Sequence, residues 1–324
     1  MADIVRRVLI DTDPGIGTPG ADVDDGIAIL LALGAPQLDI VGITTVKGNA
    51  DVHSGTANVL RLLHDAGRDD IPVAKGCSSP LGREVPEIEE RRMGWTPPAP
   101  KDVAFRTGKR GVDFMIETVL GSSSKSTIVA IGPLTNVAMA MIEEPKICDA
   151  IDELVIMGGS MFADGTRPRV EFNILNDPEA ADVVFRSGVP ITLIPLDVTT
   201  SVRFRTDTIE PWADASSPLV RRVHDLTIDW MKYRYTVRGE KDLGCYFHDA
   251  MNIAYLLEPD MFTSVDARVS VELKGAYTRG QTVMDMSATG STGASSKVSK
   301  VLMGIDGHRF VRTVVDGVVG EINQ

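Results

Sequence analysis

The stretch VLIDTDPGIGTPGADVDDGIAILLALG (residues 8–34) sets an apolar run carrying Asp11 and Asp13 at its end against a second apolar run opened by Asp24 and Asp25. The first run, Arg7 to Asp11, reads as a short buried strand, and Asp24 to Gly34 reads as a helix with acid in its first turn and glycine at its end. Carboxylates gathered at one strand-to-helix junction raise one another's pKa unless a cation neutralises them. Capping explains a single Asp at a helix start. It does not explain the second of an adjacent pair, because neighbours on a helix point about 100° apart. Oxygen donors with no adjacent His or Cys suit calcium or magnesium rather than zinc.

The strand-then-helix pattern recurs outward from this point. LDIVGITTV (Leu38 to Val46) and STIVAIG (Ser126 to Gly132) read as strands, as do ELVIMGG and ITLIPLD (Ile191 to Asp197). Helical patterns lie between them in SGTANVLRLLHDAG, LTNVAMAMIEE and PEAADVVFRSG. Strands apolar throughout, alternating with amphipathic helices, predict an α/β fold with a mostly parallel, Rossmann-like central sheet covered on both faces. Ligands of such sheets sit at the carboxyl ends of the strands. The polar residues after the strands, Asp13, Lys47 to Asn49, Gly132 to Asn136 and Met157 to Ser160, meet that demand. A long helix is expected from about Ser217 to Arg238, followed by a strand-rich tail and a Ser/Gly-rich loop in SATGSTGASSKVSK. With no internal repeat and no linker, residues 1–324 are expected to form one domain, less regular and helix-rich from about residue 200.

Composition narrows the function. A formal charge of −12 argues against nucleic acid as a partner, since such binding draws on clustered Lys and Arg. The three cysteines show no CxxC spacing, so neither a disulfide framework nor a zinc knuckle is expected. No run approaches the about 20 apolar residues of a membrane span, and no signal-peptide core is visible, which makes the cytoplasm the expected location.

Two carboxylates do not fill a calcium shell of about 6 to 8 oxygens. YFHDAMNIAYLL offers a further acid in Asp249 at the start of another apolar helical run, with His248 beside it. A DxD-type phosphatase is an alternative for DTDPG, but the late acidic pair that such an enzyme needs is missing. A sugar-binding protein without catalysis is a second alternative.

Taken together, DTDPG…DDGIAILLA, ITTVKGN, IGPLTNVAMA, LVIMGGS, VEFNILNDPEAADVVF and FHDAMNIAYLLEP resemble, in order and spacing, the nucleoside hydrolases of the inosine-uridine-preferring type. The resemblance implies calcium-dependent hydrolysis of the N-glycosidic bond, a small nucleoside substrate and a homodimer or homotetramer. It implies Asp13, Asp25, Asp249 and the Ile131 carbonyl as metal ligands, with Asp13 also the base that takes a proton from water. Asp24, Asn49, Met157, Glu171, Asn173 and Asp249 fall on sugar-contacting positions. His248 is the expected acid for the leaving base, with a pKa near neutrality. Without the resemblance, Asn49 reads as a turn residue, and Glu171 and Asn173 as a polar edge strand.

Three departures from the family pattern stand out. The insertion IGTPGADV replaces a single residue, so Gly17, Pro19 and Gly20 must loop out and return Asp24 and Asp25, with Asp22 a competing candidate. REVPEIEERRMGWTPPAP has no histidine where many members are His-rich, leaving Arg91, Arg92 and Trp95 as possible cover for the base. Gly165 stands where a family asparagine faces the sugar's 5′ end. Tyr233, in WMKYRYTV, is a candidate aromatic wall, with helix packing as its more ordinary use.

Overall fold

The computed structural model describes residues 5–83, 108–287 and 298–320. Among the described residues, nine strands make one sheet in the order β10-β9-β11-β6-β5-β4-β1-β2-β3. These are β1 (Arg6–Thr12), β2 (Leu38–Thr45), β3 (Val73–Lys75), β4 (Ser126–Ala130), β5 (Ile151–Met157), β6 (Ile191–Ile194), β9 (Phe262–Val271), β10 (Thr282–Asp285) and β11 (Ser299–Ile305). β1 to β6 and β11 pair in parallel, while β9 runs antiparallel to both β11 and β10. The mostly parallel α/β sheet expected from the apolar runs is present.

β1 lies mid-sheet, and Val8 to Thr12 are buried on both faces, which is why the strand reads as apolar without alternation. The order 3-2-1-4-5-6 reverses between β1 and β4, and that crevice is where ligands of open α/β sheets bind. Asp13 follows β1 and Ile131 follows β4.

Helices cover the sheet. They are α1 (Asp24–Leu33), α2 (Val52–Asp65), α3 (Gly111–Leu120), α4 (Thr135–Glu143), α5 (Phe172–Asn176), α6 (Pro178–Arg186), α7 (Pro218–Thr236), α8 (Ala250–Leu257) and α9 (Gly307–Gly320), with shorter helical turns between some of them. Two local readings are corrected. The strand expected to Asp197 stops at Ile194, because Pro195 cannot donate to the ladder and Leu196–Thr199 turns helical. Glu171 and Asn173 lie on no edge strand: Glu171 caps α5 and Asn173 is inside it. The strand-rich tail is present as β9, β10 and β11, and α9 closes it and packs on α1 and α8. The segment holding Arg91, Arg92 and Trp95 lies outside the described residues, as does most of the Ser/Gly-rich loop.

Two pieces of packing aim the site. α1 lies against α8, bringing together the N-termini that carry Asp24, Asp25 and Asp249. The short ribbon of β7 (Phe204–Arg205) and β8 (Gly244–Cys245) leads into Phe247, whose ring lies 4.3 Å from Phe204 and 5.9 Å from Trp212. This buried aromatic cluster anchors the backbone just before His248 and Asp249.

Candidate active site

The insertion behaves as a compact loop. Gly17 and Gly20 take φ of 85° and 77°, values that favour glycine, and the Asn58 amide ties the loop down through Pro14 O and Thr18 Oγ1 at 3.0 Å each. It returns the chain to Val23, where α1 begins with no side-chain cap. Asp24 and Asp25 are therefore not spent on capping. Asp249 likewise precedes α8 without capping it.

Carboxylate oxygens of Asp24, Asp25 and Asp249, all buried, lie within 4.8 Å of one another. Asp25 Oδ1 accepts from Thr12 Oγ1 at 2.5 Å and from the Asp13 amide at 3.2 Å, and its Oδ2 accepts from Asn49 Nδ2 at 3.3 Å. Asp13 Oδ2 accepts from the Asn49 amide at 2.6 Å. Asp13 Oδ1 and Asp24 Oδ1 are buried with no hydrogen-bond partner among the described residues. Asp22, the competing candidate, is half-buried, and its Oδ1 accepts from the Val23 amide at 2.8 Å; it is not one of the three acids within 4.8 Å, yet it lines the same cavity and its charge helps to raise Asp24.

The electrostatics follow from burial. Desolvation, then repulsion from acidic neighbours, pushes Asp13, Asp24 and Asp249 well above the usual carboxylate range. Burial lifts Asp25 to about 6 against the pull of its hydrogen bonds, and Glu171 to about 7. Such a cluster is at ease only if protonated or if a cation sits among its oxygens. The unpartnered oxygens and an all-oxygen donor set fit a hard divalent ion. Close packing leaves no freedom to relax: a Cβ on Gly48 would fall 1.7 Å from Asp13 Oδ2, and one on Gly132 would fall 3.0 Å from Asp13 Oδ1.

Above the acids opens a cavity of 190 Å³, lined by Asp24, Asn49, Ile131, Met157, Glu171, Asn173, His248 and Asp249, among others. Glu171 accepts from the amides of Asn173 (2.6 Å), Ile174 (2.9 Å) and Gly159 (3.1 Å), which fixes its carboxylate at the wall. Asn173 Nδ2 donates to the carbonyls of Ile131 (3.1 Å) and Met157 (3.2 Å). Every residue singled out for metal, sugar or leaving group thus lines this cavity, except Asp13 and Asp25, which lie beneath it. Gly165 also lines it, and a Cβ there would meet Val170 O at 2.3 Å, so no side chain fits at the family's asparagine position.

His248 is half-buried at the wall of the cavity with Nδ1 2.8 Å from Thr199 Oγ1. Its pKa is not near neutrality: burial and then the Arg234 charge bring it down to about 3. Sequence reasoning could not see this desolvation. It also missed Trp230, Arg234 and Arg238, which line the cavity in place of Tyr233, whose ring stacks on Trp230 at 5.7 Å. The residues signalled nothing because one face of a long helix looks like ordinary packing until its neighbour is known.

Beneath the site, Asp11 Oδ1 accepts from Thr44 Oγ1 (2.6 Å) and Asn136 Nδ2 (2.7 Å), and Asn136 Oδ1 accepts from the Cys77 amide (2.8 Å). This knot ties β1 and β2 to the segments that follow β3 and β4.

An acidic, cation-ready pocket thus lies at the reversal point of a 3-2-1-4-5-6 sheet, a site suited to a polar ligand. Residues 8–312 match the family described as inosine-uridine preferring nucleoside hydrolase. The chain is 39% identical over 283 residues to the pyrimidine-specific ribonucleoside hydrolase RihA of Escherichia coli, covering 86% of this chain and 88% of the relative. It is 37% identical to RihA of Photobacterium profundum, covering 86% and 89%. Among solved structures, the purine-preferring ribonucleoside hydrolase of Gardnerella vaginalis superposes with a TM-score of 0.84 at 28% identity, and a plant nucleoside hydrolase with 0.82 at 26%, each over 98% of this chain and 99% of the other. The chain belongs to the inosine-uridine-preferring nucleoside hydrolase family. As a member it is an N-ribohydrolase, and the phosphatase alternative lapses.

Proposed function

We propose that the protein is a calcium-dependent ribonucleoside hydrolase acting in nucleoside salvage, with Asp13, Asp25, Asp249 and the Ile131 carbonyl as ion ligands. The observation that carries this reading is the trio of buried carboxylates Asp24, Asp25 and Asp249 within 4.8 Å, two of them proposed ligands; Asp13 is not one of the trio, but its amide bonds Asp25 and its Oδ1 is unpartnered among the described residues. The bound ion would position vicinal ribose hydroxyls and lower the pKa of a water.

The chain's own groups then divide the work. Asp13 is held at Oδ2 by the Asn49 amide and is free at Oδ1, the arrangement a general base needs to take the water's proton. Asp24, Asn49, Glu171, Asn173 and Asp249 grip the ribose hydroxyls, with Met157 packed against the sugar. As the C–N bond lengthens, positive charge builds on the sugar as in glycoside hydrolysis, and the surrounding carboxylates stabilise it. His248 stands beside the cavity as the hydrogen-bond donor to the leaving base: its imidazole is neutral at physiological pH and offers an N–H, while the proton that finishes on the base is the one Asp13 takes from water.

The relatives at 37% and 39% identity are named as pyrimidine-specific, which favours uridine and cytidine as substrates here. The three cysteines are all unpaired, in keeping with a cytoplasmic protein. Among the described residues no helix is long and apolar enough to cross a membrane. A single domain assembled as a homodimer or homotetramer completes the proposal, and light scattering after size-exclusion chromatography measures the assembly.

The test is release of free base from uridine, cytidine, inosine and adenosine, followed chromatographically with and without chelator. Base release from uridine that stops on chelation is expected. No release from any of the four, in calcium, would sink the proposal.

A further inference from the structure

Two buried donors play no part in that mechanism. Trp230 and Arg234 lie one turn apart on α7, so their side chains share a face, and both line the cavity next to His248. Trp230 is 3% exposed and Arg234 8%. Trp230 Nε1 and Arg234 Nε have no hydrogen-bond partner among the described residues. A buried N–H without an acceptor is costly; Arg203, Arg268 and Arg279 also keep such an Nε, and Trp230 and Arg234 differ from them in lining the cavity. Two on one wall of a cavity point to a ligand that supplies acceptors.

The Arg234 guanidinium is not free to swing. It is paired with Glu240 and lies 5.6 Å from the ring centres of both Trp230 and Tyr246. Arg203 Nη2 holds Glu240 in turn, at 2.6 Å. Asp24, Asn49, Glu171, Asn173 and Asp249 line the same cavity and are assigned to the sugar, and an indole beside a guanidinium is a pair suited to a planar heteroaromatic group.

We propose that Trp230 Nε1 and Arg234 Nε bind the acceptor edge of the nucleobase, a carbonyl oxygen or ring nitrogen, and that Arg234 stabilises the negative charge the base acquires as it departs. The inference rests on the N-ribohydrolase reading above. When the C–N bond breaks, both of its electrons stay with the base, and the oxygen of water bonds to the anomeric carbon. One proton of that water remains in the new hydroxyl, and the other finishes on the base. Before that proton arrives the base is anionic, its charge spread over ring nitrogens and carbonyl oxygens. A guanidinium N–H holds this anion more tightly than the neutral nucleoside, so the contact acts on the transition state more than on binding.

The experiment measures kcat and KM for uridine and for p-nitrophenyl riboside, whose nitrophenolate leaves without help. Arg234→Gln is expected to lower kcat on uridine by about 100-fold, the usual cost of one such donor, and to change the aryl riboside by less than about fivefold. Trp230→Phe, which deletes the indole N–H and keeps an aromatic ring, is expected to raise KM for uridine by up to about tenfold, with the aryl riboside unaffected. Equal losses on both substrates would assign the residues to packing and overturn the proposal. If Arg234→Gln does not fold, Trp230→Phe decides alone, and an unchanged ratio of uridine to aryl riboside overturns it. A wild-type protein inactive on both substrates would instead sink the N-ribohydrolase reading beneath it.

Discussion

Gly48→Ala is a small substitution with a large expected consequence. The added methyl would stand 1.7 Å from Asp13 Oδ2 and 2.4 Å from its Cγ, where real contacts stay beyond 3.0 Å. The carboxylate or the Gly48 loop must therefore move by at least about 1.3 Å, the difference between those two distances. If Asp13 moves, it gives up the 2.6 Å bond from the Asn49 amide, a charge-assisted bond worth about 1.5–3 kcal/mol. If the loop moves, Asn49 is drawn away from Asp25 as well, since its side chain donates to Oδ2 at 3.3 Å. A shift of about 1 Å in a reacting group costs on the order of 100-fold in rate. The expected result is a fall of about 100-fold or more in kcat/KM for uridine, with a melting temperature lower by a few degrees and an unchanged circular dichroism spectrum. Turnover within about threefold of wild type would refute the claim that Asp13 is held in place by this loop.

Asp13→Asn removes the proposed base while keeping shape, so kcat is expected to fall by about 10²–10⁴ with the cation still bound by calorimetry; near-normal turnover would refute the assignment. Because burial and Arg234 hold His248 neutral down to about 3, the pH profile of kcat/KM should carry no His248 limb between about pH 5 and 8. A limb near pH 6.5 that vanishes in His248→Ala would contradict this. In chelator, stability should fall as pH rises from about 4 to 7. Asp25 and Glu171, raised to about 6 and about 7, hold protons in the folded state that the unfolded chain has released, so the native form binds more protons across that window. Calcium should lift the melting temperature strongly at pH 8 and little at pH 5, and a chelated protein whose melting temperature rises over this range would count against the buried acidic cluster.

The fold was readable because its strands are buried on both faces. Val8 to Thr12, mid-sheet, have no solvent face to impose an alternating pattern, and the resulting apolar runs mark a parallel sheet. The acids were readable for the same reason: a carboxylate adjoining such a run must be buried, and Asp24 with Asp25 cannot both be caps. Local backbone chemistry was less visible. Glu171 and Asn173 sit in a helical turn of five residues, too short to show a period, and Pro195 ends β6 earlier than the apolar pattern suggests. The wall beside His248 was visible only as a segment, since WMKYRYTV stands out through Tyr233 and not through the residues that line the cavity. Trp230 and Arg234 are four apart on α7, the spacing of any helix face, with Arg238 just beyond its end, and only the tertiary approach of α7 to the loop around Gly20 turns that face toward a cavity.

The most direct measurement is base release from uridine by protein stripped of metal, with residual ions counted by mass spectrometry, followed by titration with calcium. The account predicts that hydrolysis disappears with the ion and returns in full as calcium reaches one per chain. Undiminished hydrolysis by protein shown to be metal-free would contradict it.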